Sequence, residues 1–236
     1  MLTQKNKPAK RGRPRGRTAT GETARQRLYR AAIGLIQERG YEGATLRDVA
    51  ARVGVSPALL YRYFPNKRAV VLAFYDELSE TFERRAAALA PGGKWRDRFA
   101  VALDLSFEIL GPHRVVLRAL APIMIGDPDE GVLAPETAFS RVRVMNVFER
   151  VVTEASDAPK TLAPALGRVL YLAHLGLILW WLLDRSPNQR ATRGLVALVR
   201  QMLPSAALAL RLRAVRGFVQ SADALFQAGL LDASAR

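Results

Sequence analysis

At 236 residues, half of them hydrophobic, the chain is long enough to bury a substantial core, which excludes disorder of the whole. Lysine and arginine outnumber aspartate and glutamate by 36 to 21, and the resulting formal charge of +15 makes a polyanion the first partner to consider. The absence of cysteine excludes disulfides, thiolate zinc sites and thiol redox switches, and two histidines leave little for metal chemistry.

The charge is concentrated at one end. Residues 1–17 hold seven basic and no acidic side chains, and residues 18–68 hold nine basic against four acidic, so the first 68 residues carry +12 of the +15. Such asymmetry points to a nucleic-acid-binding end and a nearly neutral remainder. Residues 1–20, rich in Lys, Arg, Gly, Pro and Thr, cannot bury enough apolar surface to order alone and read as a flexible arm. Within it, Lys10-Arg11-Gly12-Arg13-Pro14-Arg15-Gly16-Arg17 resembles the AT-hook pattern, in which an extended Arg-Gly-Arg-Pro core lies in a narrow A·T-rich minor groove. That resemblance implies groove contacts by Arg11, Arg13, Arg15 and Arg17; the other reading is a solvated tail that binds phosphates without preference. No apolar stretch follows the arm before Leu28, so it is not read as a signal peptide.

A helix is expected over 22–39, with Leu28, Ala32, Leu35 and Ile36 on one face and Gly40 ending it in a left-handed cap. Thr45 can cap the next, short helix, and Asp48 stands three residues on, where it can bond back to the cap. That helix directs Leu46, Val49, Ala50 and Val53 inward and ends at Gly54. Ser56 caps a second short helix with Pro57 at its first position, and this helix stops before Pro65. Two short helices joined by a tight Gly-containing turn, behind a longer one, are the geometry of a helix-turn-helix. Leu60 and Phe64, four residues apart, face the core, which leaves Pro57, Ala58, Leu59, Tyr61, Arg62 and Tyr63 to the major groove and its walls. Ala58 and Leu59 suit thymine methyls, Arg62 a guanine edge or a phosphate, and Tyr61 and Tyr63 phosphate oxygens. Asn66 can cap the following helix, whose amino-terminal dipole and Lys67 would then converge on one phosphate.

The run from Gly40-Tyr41-Glu42-Gly43-Ala44-Thr45-Leu46-Arg47-Asp48-Val49-Ala50 through Val53-Gly54-Val55-Ser56, followed by Leu60-Tyr61-Arg62-Tyr63-Phe64-Pro65-Asn66-Lys67, resembles the DNA-binding domain of the tetracycline-repressor (TetR) family. The resemblance covers about residues 22–72 and implies phosphate contacts at Thr45, Tyr61 and Lys67, with base contacts early in the second short helix. Ala58, Leu59 and Tyr63 depart from the commonest family pattern, which leaves the operator sequence open. With Arg47 and Ser56 added, the expected DNA-contacting set is Thr45, Arg47, Ser56, Pro57, Ala58, Leu59, Tyr61, Arg62, Tyr63 and Lys67, together with the arginines of the arm.

Beyond Lys67, where a further helix starts, breaks at Pro91-Gly92-Gly93, Gly111-Pro112, 126–135, 156–159, Ser186-Pro187-Asn188 and Pro204-Ser205 outline six more helices, so the fold is expected to be all-α. The divisions are a basic arm (1–20), a three-helix helix-turn-helix domain (21–68) and a larger helical bundle (69–236), which the resemblance implies binds a ligand and dimerises. Residues 169–183 are apolar apart from His174; at 15 residues they fall short of the roughly 18–20 a bilayer requires, and they read as a buried helix rather than a membrane span. Because Leu175, Leu177, Ile178, Leu179, Trp180, Trp181 and Leu182 are apolar all round that helix, part of it, with a helix near 188–203, is the candidate homodimer interface; a central core helix is the other reading. Phe107, His113, Leu117, Met124, Met145, Phe148 and His174 are candidate liners of a pocket for a small apolar or amphipathic ligand. No nucleophile with a base, paired acids or glycine-rich phosphate loop suggests an enzyme, and no cofactor is implied. The expectation is a cytoplasmic, dimeric regulator that binds a double-stranded operator. A nonspecific architectural DNA protein is the alternative.

Overall fold

The computed structural model describes residues 19–127 and 129–231, and every regular element among them is helical. The amino-terminal unit consists of α1 (Ala19–Gly43), α2 (Leu46–Val53) and α3 (Pro57–Tyr63). Leu28, Ala32, Leu35 and Ile36 recur at helical spacing along α1 and are all buried, and they close on Val49 and Ala50 of α2 and on Leu60 and Phe64. This small core fixes the angle at which α3 leaves the domain.

Local caps set the element ends. Gly54 takes the left-handed conformation at the end of α2, and its N–H bonds the Ala50 and Ala51 carbonyls. Gly40 does not act as the expected left-handed cap. Its φ of 75° with ψ of 173° lies outside the left-handed helical region, in a conformation essentially confined to glycine, and a further turn runs on to Gly43. That kink delivers Tyr41 to the other domain. The Thr45 cap also differs in detail: its hydroxyl accepts from the Asp48 N–H (3.2 Å) and donates to the Asp48 carboxylate (2.8 Å), which Arg39 also engages at 3.4 Å.

Six helices follow α4 (Lys67–Ala86): α5 (Trp95–Leu110), α6 (Arg114–Gly126), α7 (Ala138–Thr153), α8 (Ala163–Leu183), α9 (Arg190–Ala209) and α10 (Arg213–Phe226). The break expected at Pro204-Ser205 is absent, and α9 runs through Pro204 to Ala209. A proline inside a helix removes one backbone hydrogen bond and costs about 3 kcal/mol. The penalty is offset because Leu203 and Leu210, on either side of it, are both buried. The chain turns only after Leu210.

α8 lies along α7 at close range. A Cβ on Gly167 would come within 2.5 Å of the Glu149 Cα, so that crossing requires glycine. Arg98, 8% exposed, ties α5 to the end of α7: its Nε donates to the Val151 carbonyl (3.0 Å), its Nη2 pairs with Glu154 (2.6 Å), and its Nη1 also donates to the Ala90 carbonyl. The length argument against a membrane span is overturned. α8 is 21 residues, long and apolar enough to cross a bilayer, as is the helical stretch Trp95–Gly126. In this fold, half of the α8 window is buried by protein, with Leu170, Tyr171, His174, Ile178 and Trp181 facing neighbouring helices.

Candidate functional site

The reading helix presents one open face. Pro57, Ala58, Tyr61 and Arg62 are exposed, Leu59 and Tyr63 half-buried, and Leu60 and Phe64 sealed in the core. Its start is fixed by the Ser56 side chain, which accepts from the Leu59 N–H (3.3 Å), and by Pro57 in the first turn. Arg62 lies against the Tyr63 ring at 5.4 Å, and its side chain is exposed. Thr45, Arg47 and Ser56 are exposed nearby.

The Asn66 side chain accepts from the Ala69 N–H (2.8 Å) at the start of α4. Lys67 is less free than its position in the sequence suggests: it donates to the Tyr41 carbonyl (2.6 Å) and sits 4.0 Å over the Tyr41 ring. Arg11, Arg13, Arg15 and Arg17 lie outside the described residues.

Residues 28–74 match the model described as bacterial regulatory proteins of the tetR family. The amino-terminal domain is similar to that of TetR-family regulators. Among its relatives, the transcriptional regulator EthR of Mycobacterium tuberculosis is 29% identical over 112 residues, 45% of this chain and 52% of EthR. The transcriptional repressor KstR of Rhodococcus jostii is 27% identical over 165 residues, 69% of this chain and 74% of KstR. The match to EthR therefore spans about half of that relative's length. A TetR-family regulator from Nitrosomonas europaea superimposes with a TM-score of 0.56 at 20% identity, covering 78% of this chain and 98% of that one, so the TetR fold extends through the larger domain.

That larger domain contains a cavity of about 120 Å³ between α4, α5, α6, α7 and α8. Leu117, Met124 and His174 are in its wall, with Leu78, Phe82, Ile109, Val144 and Ile178 supplying apolar surface. Phe107, His113, Met145 and Phe148 are not. Phe107 packs edge-on against Trp181 (5.7 Å) in a separate cleft, and His113 meets the Phe74 ring at 5.5 Å. Met145 packs on the core, and Phe148 is fully buried behind His174, 4.8 Å ring to ring. Helical spacing tells which face of a helix turns inward, but the position of a void depends on how neighbouring helices cross. For the same reason nothing in the spacing singles out Tyr75, Ser106, Arg141 and Tyr171, which also line the cavity.

The polar groups there are unusual. His174 Nε2 lies 2.8 Å from the Ser106 hydroxyl, while its Nδ1 has no partner, and complete burial holds the imidazole neutral, with its pKa pushed down to about 3. The Tyr75 hydroxyl is likewise buried and unpartnered. Arg141, 7% exposed, donates to the Ala134 carbonyl at 3.0 Å.

The segment between α6 and α7 touches both the cavity and the DNA-binding domain. Val132 and Thr137 line the cavity, while Glu130 accepts from the Tyr41 hydroxyl (2.9 Å). Arg68 on α4 donates to the Asp129 carbonyl (3.2 Å) and pairs with Glu136 (3.5 Å). Burial raises the Glu130 carboxyl above its usual range against the opposing pull of the Tyr41 hydrogen bond.

Proposed function

We propose that this chain is a homodimeric transcriptional repressor of the TetR type, which holds a palindromic operator through α3 and releases it when a small apolar or amphipathic molecule occupies the cavity. In this reading residues 1–20 are a basic arm, 21–68 the reading head, and 69–236 the sensing and pairing unit, working in the cytoplasm. The observation that carries it is α3 itself: Pro57, Ala58, Tyr61 and Arg62 stand open on one side of a helix whose other side is locked by Leu60 and Phe64. A helix so fixed can present the same side chains to the base edges each time it docks. Repression is supported by the name of KstR, and sensing by the cavity and by the segment that touches both it and Tyr41.

The test is to sequence the genomic DNA fragments that the purified protein selects. The expected result is an inverted repeat with half-sites about one helical turn apart. Binding without an enriched sequence would instead indicate the nonspecific architectural protein. A basic arm serves that alternative equally well, but an architectural protein does not need an exposed, capped reading helix.

A further inference from the structure

The cavity wall is mostly apolar, and two of the polar atoms that enter it lack hydrogen-bond partners. Tyr75 Oη and His174 Nδ1 are the two buried side-chain polar atoms without a hydrogen bond among the described residues, and both residues line this one cavity. The histidine's role follows from its neighbour. When the Ser106 hydroxyl donates to Nε2, the neutral ring carries its proton on Nδ1. That N–H is a donor without an acceptor.

Arg141 adds a charge. Its Nη1 donates to the carbonyls of Ala134 (3.0 Å) and Val132 (3.4 Å), and no carboxylate lies within ion-pair distance of it among the described residues. The other buried arginine of the larger domain, Arg98, pairs with Glu154, and the half-buried Arg168 pairs with Glu149 and Asp223. An unpaired guanidinium in a wall of Leu78, Phe82, Val144 and Ile178 is a group whose counter-ion must come from elsewhere.

Resting on the reading of this cavity as the effector site, we infer that its ligand is a small carboxylic acid with an apolar body, whose carboxylate is bound by Arg141 and accepts hydrogen bonds from Tyr75 and His174. A carboxylate has acceptor capacity for all three groups and matches the guanidinium fork. A neutral hydrocarbon would leave Tyr75 and His174 without hydrogen bonds and Arg141 without a counter-ion. The volume, about 120 Å³, is somewhat less than that of a cavity known to hold benzene, so the body is about one ring or a short alkyl chain.

The experiment is calorimetric titration of the full chain with benzoate, phenylacetate, hexanoate and octanoate, each against its neutral amide. The acids should bind at least about tenfold more tightly than the amides. Arg141→Met should abolish that preference by weakening the acids alone, and Arg141→Lys should retain part of it. Tyr75→Phe, which keeps the ring in place, should weaken the acids by a few-fold. If Arg141 only braces the loop at Ala134, its removal will weaken acid and amide alike, and the inference fails. Amides that bind as well as acids, or a series in which nothing binds, overturn it too. Operator binding is measured in parallel: a neutral ligand that binds and releases DNA leaves the sensor reading standing without this inference. Acids that bind as expected but leave the operator affinity unchanged would uphold the inference and refute the sensor reading.

Discussion

The residues of α3 divide by the kind of contact they can make, and the division can be measured. Ala58 is exposed and Leu59 half-buried, and neither carries charge, so substitutions there should shift base preference by roughly 1–3 kcal/mol per contact and leave the salt dependence unchanged. Tyr61→Phe removes one phosphate donor and should lower affinity on operator and scrambled duplexes alike, by about two- to tenfold. Lys67→Ala should also reduce the slope of log affinity against log salt by about 0.9 if Lys67 leaves the Tyr41 carbonyl for a phosphate. Dissociation constants at several salt concentrations separate the two classes; base preference that survives changes at Ala58 and Leu59 would place the reading elsewhere. His174 gives a pH signature of its own. Its folded pKa, about 3, lies below the unfolded value, so the unfolded chain takes up a proton that the folded chain refuses. Stability contributed by the neutral ring is full above about pH 6.5 and is lost as pH falls toward the folded value, by up to about 1.4 kcal/mol per pH unit. Denaturant unfolding of wild type and His174→Phe should show a shallower acid slope in the variant.

At the scale of elements, sequence spacing and caps were informative where structure is local. Thr45, Gly54, Ser56 with Pro57, and Asn66 bound α2, α3 and α4 where their side chains and backbone preferences place those ends. The failures occurred where one helix depends on another. Pro204 reads as a stop because its penalty is local, yet α9 continues because the burial of Leu203 and Leu210 outweighs it. Gly167 gives no sequence signal of its role, since within a helical run it reads only as a weak helix former. Replacing it with alanine should nevertheless destabilise the chain by roughly 1–3 kcal/mol, because the added methyl meets the α7 backbone rather than a movable side chain. Thermal or denaturant unfolding would measure this. A neutral or stabilising Gly167→Ala would show that α7 and α8 can separate freely.

For the whole molecule, the apolar surface left open on the carboxy-terminal helices is the basis for expecting a dimer. Trp180 and Leu183 of α8, Leu198 and Met202 of α9, and Phe218 and Leu225 of α10 are each about half exposed or more. Trp181, one residue on from Trp180, is buried, so α8 is neither wholly core nor wholly surface. Light scattering should give twice the chain mass, and Leu198→Glu with Met202→Glu should produce a folded monomer whose operator affinity falls by at least about tenfold, as two reading heads become one. A monomer that still binds operator tightly would refute pairing. Ligand and operator should weaken one another by the same factor. Tyr41→Phe, which removes the hydrogen bond to Glu130, should reduce that factor while both binding events persist.

By itself, the sequence determined the all-helical class, the helix-turn-helix and the core face of α1, because each rests on short-range preferences: 3.6-residue periodicity, caps, and the conformations open to glycine and proline. It also placed most of the positive charge at the amino-terminal end, since charge is additive and needs no fold to be counted. The tertiary structure alone decided which helical faces meet across a void. It set Leu117, Met124 and His174 around a cavity, turned Phe107, His113, Met145 and Phe148 away from it, and brought in Tyr75 and Arg141, which lie 66 residues apart in the chain. In the sequence Arg141 is one more arginine on an amphipathic helix. What distinguishes it is burial without a carboxylate partner, which is a property of the packing of α7 against its neighbours and of no residue or spacing within α7.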